Sequence, residues 1–188
     1  DNPAVAIGLN NLAVIYREQH RLKDAELLYE RALAIRKKSF GVDSSEVAGS
    51  LNDLARVYRE DGRFEEAEPL LKAVLSIGEK HSASDQKSTI IALNNLATVY
   101  KEESKYPEAE AAYKRVLQLQ ERTLGGDCQE MLPALTNLSV VYNIQGKDVD
   151  AEPLLKRAVN IAEKSLSADD PQYATCLNNL GELYRQQG

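Results

Sequence analysis

The sequence predicts an all-α fold: a right-handed superhelical α-solenoid of antiparallel helix pairs, about four and a half repeats in 188 residues. Three observations predict it. The string Leu-Asn-Asn-Leu-Ala-x-x-Tyr returns every 42 residues with little change. Apolar residues inside each copy are spaced by three and four, as on one stripe of a helix. Turn-forming residues recur at two fixed columns between the stripes.

The copies begin at Leu9, Leu51, Leu93, Leu135 and Leu177, in one phase without insertion or deletion, so residues 1–188 read as a single array with no linker. In the first helix of a pair, helix A, the stripe is Leu9, Leu12, Ala13 and Tyr16; in the second, helix B, it is Ala25, Leu28, Tyr29, Ala32 and Leu33. The turn between A and B carries His20, Gly62, Ser104, Gly146 and Gly188 in one column, where a helix ends on a left-handed residue that glycine adopts without steric cost. His20 and Ser104 are expected to be strained or capped differently. Between B and the next A, the column Asp1, Asp43, Asp85, Asp127 and Asp169 predicts N-caps, with capping boxes at Asp43/Glu46 and Asp127/Glu130.

Pro3 and Pro171 suit a first helical turn. Pro69 and Pro153 lie deeper in helix B and predict a bend or a later start. The columns Ala25, Ala67, Ala109, Ala151 and Ala13, Ala55, Ala97, Ser139, Gly181 hold only small side chains, which marks close approach of the paired helices. Tyr16, Tyr58, Tyr100, Tyr142 and Tyr184 belong to the apolar stripe and read as core, not as an aromatic binding row.

Hydrophobic residues at 43% and charged residues at 28% are those of a folded chain. A formal charge of −6, with no basic cluster, argues against a nucleic-acid partner. Cys128 and Cys176 form neither a disulfide framework nor a zinc site, so no metal or cofactor is expected and the cytoplasm is the expected compartment. No stretch nears the roughly 18 to 20 apolar residues of a membrane span. The two histidines, His20 and His81, stand 61 residues apart in different copies, and no phosphate loop, nucleophile elbow or metal cluster appears, so no enzyme is expected.

Leu9-x-x-Leu12-Ala13-x-x-Tyr16, then Ala25-x-x-x-Tyr29 and Ala32, resembles the tetratricopeptide repeat signature over the whole chain. The usual period of that repeat, about 34 residues, leaves about eight more per copy, roughly two helical turns. This longer form, with Ala-Leu-Ala-Ile-Arg-Lys-Lys at 32–38 followed by Gly41-Val42-Asp43, is similar to kinesin-light-chain repeats. Glu66-Ala67-Glu68-Pro69-Leu70-Leu71 and Glu152-Pro153-Leu154-Leu155-Lys156-Arg157 strengthen the likeness. The Gly-Asp-His-Pro turn of that class is altered here to Gly41-Val-Asp43-Ser-Ser and Ser84-Asp85-Gln-Lys.

Stacked pairs wind into a superhelix with a concave face, which the resemblance implies is lined by helix A and binds protein or peptide. Its candidate columns are Asn10, Asn52, Asn94, Thr136 and Asn178, then Asn11, Asp53, Asn95, Asn137 and Asn179. Beside them run Val14, Arg56, Thr98, Val140 and Glu182, then Arg17, Arg59, Lys101, Asn143 and Arg185. An amide both donates and accepts, so an Asn ladder can pair with any extended backbone, and the resemblance implies that role for the second column. The cations would add a preference for an acidic or phosphorylated peptide. The same Asn residues can instead bond to the neighbouring copy and hold the stack, and the charges can be solvated; both readings stay open.

Specificity is expected where the copies differ, as at Arg56, Glu182, Ile144 and Met131. Two further roles are open: the sensor or docking half of a larger signalling protein, and self-assembly. The fifth copy has only its helix A, so Leu180, Leu183 and Tyr184 are expected to lack cover, to be met by another molecule or by the rest of a longer protein.

Overall fold

The computed structural model describes residues 2–80 and 86–187. Asp1, His81, Ser84, Asp85 and Gly188, read above as caps, turns and one of the two histidines, lie outside the described residues. Among those described there are helices and no strands. The helices are α1 (Pro3–Glu18), α2 (Leu22–Phe40), α3 (Ser45–Glu60), α4 (Phe64–Lys80), α5 (Gln86–Glu102), α6 (Tyr106–Leu124), α7 (Leu132–Ile144), α8 (Asp148–Ser165) and α9 (Pro171–Gln187). Odd-numbered helices are the A helices and even-numbered ones the B helices.

The chain divides into two compact units, residues 1–99 and 100–188. In the first, α1 packs on α2, α2 on α3 and α3 on α4; in the second, α6 packs on α7, α7 on α8, and α9 on both α8 and α7. The A helices α3 and α7 are thus each held between their own B helix and the B helix before it. The alanines at 25, 67, 109 and 151 are all fully buried, as are Ala13, Ala55 and Ala97.

The four described turns between A and B repeat one geometry. His20 (φ 58°), Gly62 (74°), Ser104 (61°) and Gly146 (70°) are all left-handed, so the two residues with a side chain accept the conformation that glycine takes freely. The next N–H in each turn bonds back across it, as in Arg21 N to Tyr16 O at 2.9 Å and Arg63 N to Tyr58 O at 2.8 Å. That same residue lays its cation over the tyrosine ring, with Arg21 and Arg63 both 4.2 Å from the centroids of Tyr16 and Tyr58. Lys105 over Tyr100 and Lys147 over Tyr142 continue the series at 5.8 and 5.7 Å.

The capping column needs a correction. The N-caps are one residue later than the aspartates: Asn2 accepts from Ala4 N, Ser44 from Val47 N, and Asp170 from Gln172 N. A side chain at the preceding position starts too far from the first-turn N–H groups, and cations claim it instead. Asp43 takes Lys80 Nζ at 2.8 Å and Asp127 takes Arg157 Nε at 2.8 Å. Neither predicted capping box forms; Glu130 falls in a short 3-10 turn, Gln129–Met131, that precedes α7.

The prolines inside helix B also behave differently from the expectation of a later start. Helices α4 and α8 begin five residues ahead of Pro69 and Pro153 and run through them. Each proline leaves one carbonyl without its helical donor, at Glu65 and Val149, and both residues are exposed, where solvent is at hand.

Along the turn edge the cations reach back one copy to acids on the preceding B helix: Arg63 to Glu26 and Lys147 to Glu110, each at 2.7 Å. Hydrogen bonds from Lys114 and Lys147 hold the Glu110 carboxyl at about 2, against an ordinary 4.5. A carboxyl depressed by folding contributes stability that is complete above pH 4.5 and is lost as pH falls toward 2. Thermal midpoints measured across that window should fall less steeply for Glu110→Gln than for the parent chain. High salt should shrink the difference, because both lysines are exposed to solvent.

Candidate functional site

The A helices present the candidate residues, and most are already engaged with neighbouring helices. Asn10 Nδ2 donates to Asp53 Oδ2 and Asn95 Nδ2 to Asn52 Oδ1, both at 3.1 Å, and both pairs are 43 residues apart. The first amide column of one copy therefore meets the second column of the next. Arg17 repeats the step two turns on, with Nη1 at 2.9 Å from Glu60 Oε1 and only 11% of its side chain exposed. Arg56, half exposed, reaches the same Glu60 oxygen at 3.2 Å. In the second unit Lys101 Nζ donates to Asn137 Oδ1 at 2.8 Å, and Asn143 donates to Gln186.

Of the remaining candidates, Thr98 Oγ1 is spent on the Asn94 carbonyl at 2.9 Å, and Arg59 and Asn94 are half-buried. Asn11 and Asn178 are exposed at the two ends of their columns, and Asn179 is half-buried. Burial holds the Asp53 carboxyl up, against the hydrogen bond from Asn10 and the nearby guanidiniums of Arg36, Arg56 and Arg17.

Between α3 and α5 a recess of about 400 Å³ collects Asn52, Asp53, Arg56 and Asn95 together with Gly49, Lys87, Ser88 and Ile91. Four of these eight lining residues are sequence candidates. The other four show what the column reading missed. The solvent-facing stripe of helix A runs through positions 7, 11, 14 and 18 of each copy, a spacing of four, three and four. It includes the exposed Ile7, Ile91 and Ile144 and the acids Glu18, Glu60 and Glu102. Continuing the helical spacing outward from Asn11 and Val14 in both directions finds them.

Among the described residues no three His, Cys, Asp or Glu side chains are placed to hold a metal ion, and no helix is long and apolar enough to cross a membrane. The family model for the tetratricopeptide repeat matches residues 4–80, 88–164 and 130–188. The chain belongs to the tetratricopeptide repeat family. No curated protein matches it.

Two solved structures superpose on it. The nearly identical TPR-like repeats described for a kinesin light chain of Podosopora anserina superpose with a TM-score of 0.84 at 26% identity, covering 100% of this chain and 89% of that one. BtubC (BKLC) from P. vanneervenii superposes with a TM-score of 0.87 at 24% identity, covering 99% of this chain and 74% of that one, a likeness of fold. The repeats are thus of the kinesin-light-chain-like class, and the fold is an all-α repeat solenoid. Tetratricopeptide repeats are in general protein-interaction scaffolds and typically non-catalytic.

Proposed function

We propose that this chain binds an extended segment of another protein along the stripe at positions 7, 11, 14 and 18 of its A helices, and that the segment is acidic. The recess of about 400 Å³ between α3 and α5 carries the reading, because Asp53, Arg56 and Asn95 open onto it from two successive copies. The amides of Asn52 and Asn95 are bonded to each other, so they stiffen the site as well as line it. The preference for acid rests on Lys87 and on Arg56, which is half exposed and shares Glu60 with the nearly covered Arg17. The unbroken phase from Leu9 to Leu177 supports treating residues 1–188 as one array.

A displayed library of random decapeptides tests it. Selection on this chain should enrich acidic sequences, and Arg56→Glu should reverse that charge preference. Asn95→Ala combined with Asn137→Ala should weaken the enriched peptides about tenfold or more while helical content stays unchanged. The double variant also removes two bonds between helices, each worth about 1 kcal/mol, so a small drop in melting point is expected. Normal binding by the double variant would overturn the groove; its unfolding would make these amides holders of the stack.

A second reading, self-association through the last copy, draws on one observation. On α9, Leu177 and Tyr184 are each 44% exposed, although Leu51, Leu93 and Leu135 in the same column as Leu177 are buried. Light scattering that shows a monomer for the parent chain at high concentration would remove it.

A further inference from the structure

One column of helix B alternates down the chain as Tyr29, Leu71, Tyr113 and Leu155. In the first copy Tyr29 is fully buried, and its phenol lies near Arg17, Asp53 and Arg56 of the A helices. The residues 126 positions later are Leu155, Asn143, Asn179 and Glu182. There the shorter leucine leaves the space open, and a cavity of about 80 Å³ lies among α7, α8 and α9. Ala151, Leu155 and Leu183, all buried, form its apolar base; Val140, Asn143 and Glu182 stand nearer the surface.

Two features say what suits this space. Ser139, the one hydroxyl deep in the lining, is already spent, with Oγ donating to the Thr136 carbonyl at 2.7 Å. Water inside would find few partners at the apolar base. Glu182 keeps a negative charge at the mouth, because Arg185 and Gln186 hold its carboxyl at about 2. Burying an acidic side chain there against leucine is costly.

We propose that this cavity is a subsite for a branched or linear aliphatic side chain of an extended peptide, with the Asn143 and Asn179 amides at its mouth facing the peptide backbone. The proposal rests on the peptide-binding reading and adds to it an aliphatic anchor at α7 and α9. In the first copy the protein's own Tyr29 closes the corresponding space.

The test uses the full chain and two small probes, N-acetyl-leucine N-methylamide and N-acetyl-aspartate N-methylamide, followed by methyl NMR. At millimolar concentration the leucine probe should shift the methyl signals of Val140, Leu155 and Leu183, and the aspartate probe should not. Leu155→Tyr installs the residue that the first and third copies already use, so the helical content should hold while the leucine probe weakens about tenfold or more. Should that variant fail to fold, Val140→Asp at the half-exposed wall is expected to give the same loss. Tyr29→Leu should create a second site for the leucine probe in residues 1–99. Unmoved methyls, equal shifts from the aspartate probe, or an unchanged titration in the folded variant would overturn the subsite. Selected decapeptides that lack an aliphatic residue and ignore Leu155→Tyr would overturn it too, and leave the groove standing. No enriched decapeptide, with the leucine probe still filling the cavity, would overturn the groove and leave the subsite.

Discussion

Tyr29→Ala is expected to lower the unfolding free energy by about 3–5 kcal/mol, read as a shift of the urea midpoint at unchanged slope. Tyr29 is 1% exposed, closed in between its own A helix and the next, so truncation leaves a void that the rigid helices cannot collapse to fill. The hydroxyl also lies near the Arg17 guanidinium, whose side chain is nearly covered and paired with Glu60. Tyr29→Phe separates the two contributions: the ring remains, and only about 1 kcal/mol should be lost. Tyr184→Ala is the control. Its ring is 44% exposed on α9, and its truncation should fall within about 0.5 kcal/mol of the parent. Equal costs for Tyr29→Ala and Tyr184→Ala would contradict the packing described.

The second prediction sets two members of one column against each other. Ala55→Leu is expected to destabilise by about 1–3 kcal/mol, while Gly181→Ala is expected to stabilise by about 1 kcal/mol. Ala55 is fully buried where α3 packs on α4 and α2, so extra carbons must push helices apart. Gly181 occupies the same position in α9, but a Cβ added there would meet nothing within 4 Å. With ordinary space around it and a helical backbone, alanine simply costs less conformational entropy than glycine. Thermal melts of both variants decide the matter; a loss at Gly181→Ala would mean that this face of α9 is covered.

Much of the fold was legible in the residues. A period of 42 with helical spacing inside it leaves little choice of element type, and all four described turns are where the Gly column places them. The small columns read correctly because an alanine that never grows is a steric signal. The caps did not read correctly. Asp at 43 and 127 and Ser at 44 are all acceptable capping residues, and a one-residue choice depends on where the chain enters the helix and on Lys80 and Arg157 arriving from elsewhere. The fifth copy was misjudged in part: Leu183 is buried by residues of its own unit, while Leu177 and Tyr184 are the exposed pair.

The candidate site was legible as a face and not as a set of partners. Helical periodicity placed Asn52, Asp53, Arg56 and Asn95 together, and the structure gathers them at one recess. That Asn10 would spend its amide on Asp53, or Arg17 its charge on Glu60, depends on the offset between neighbouring helices, which no single helix encodes.

From the residues alone come the repeat length, the helix pairs, the left-handed turns and the tetratricopeptide class, because each is local and is stated again in every copy. Which polar groups are consumed between helices, which capping residue is used, and where a leucine leaves room that a tyrosine fills were settled only by packing. Those are distances between side chains far apart along the chain, and an ångström of displacement between helices changes them while every local signal stays the same.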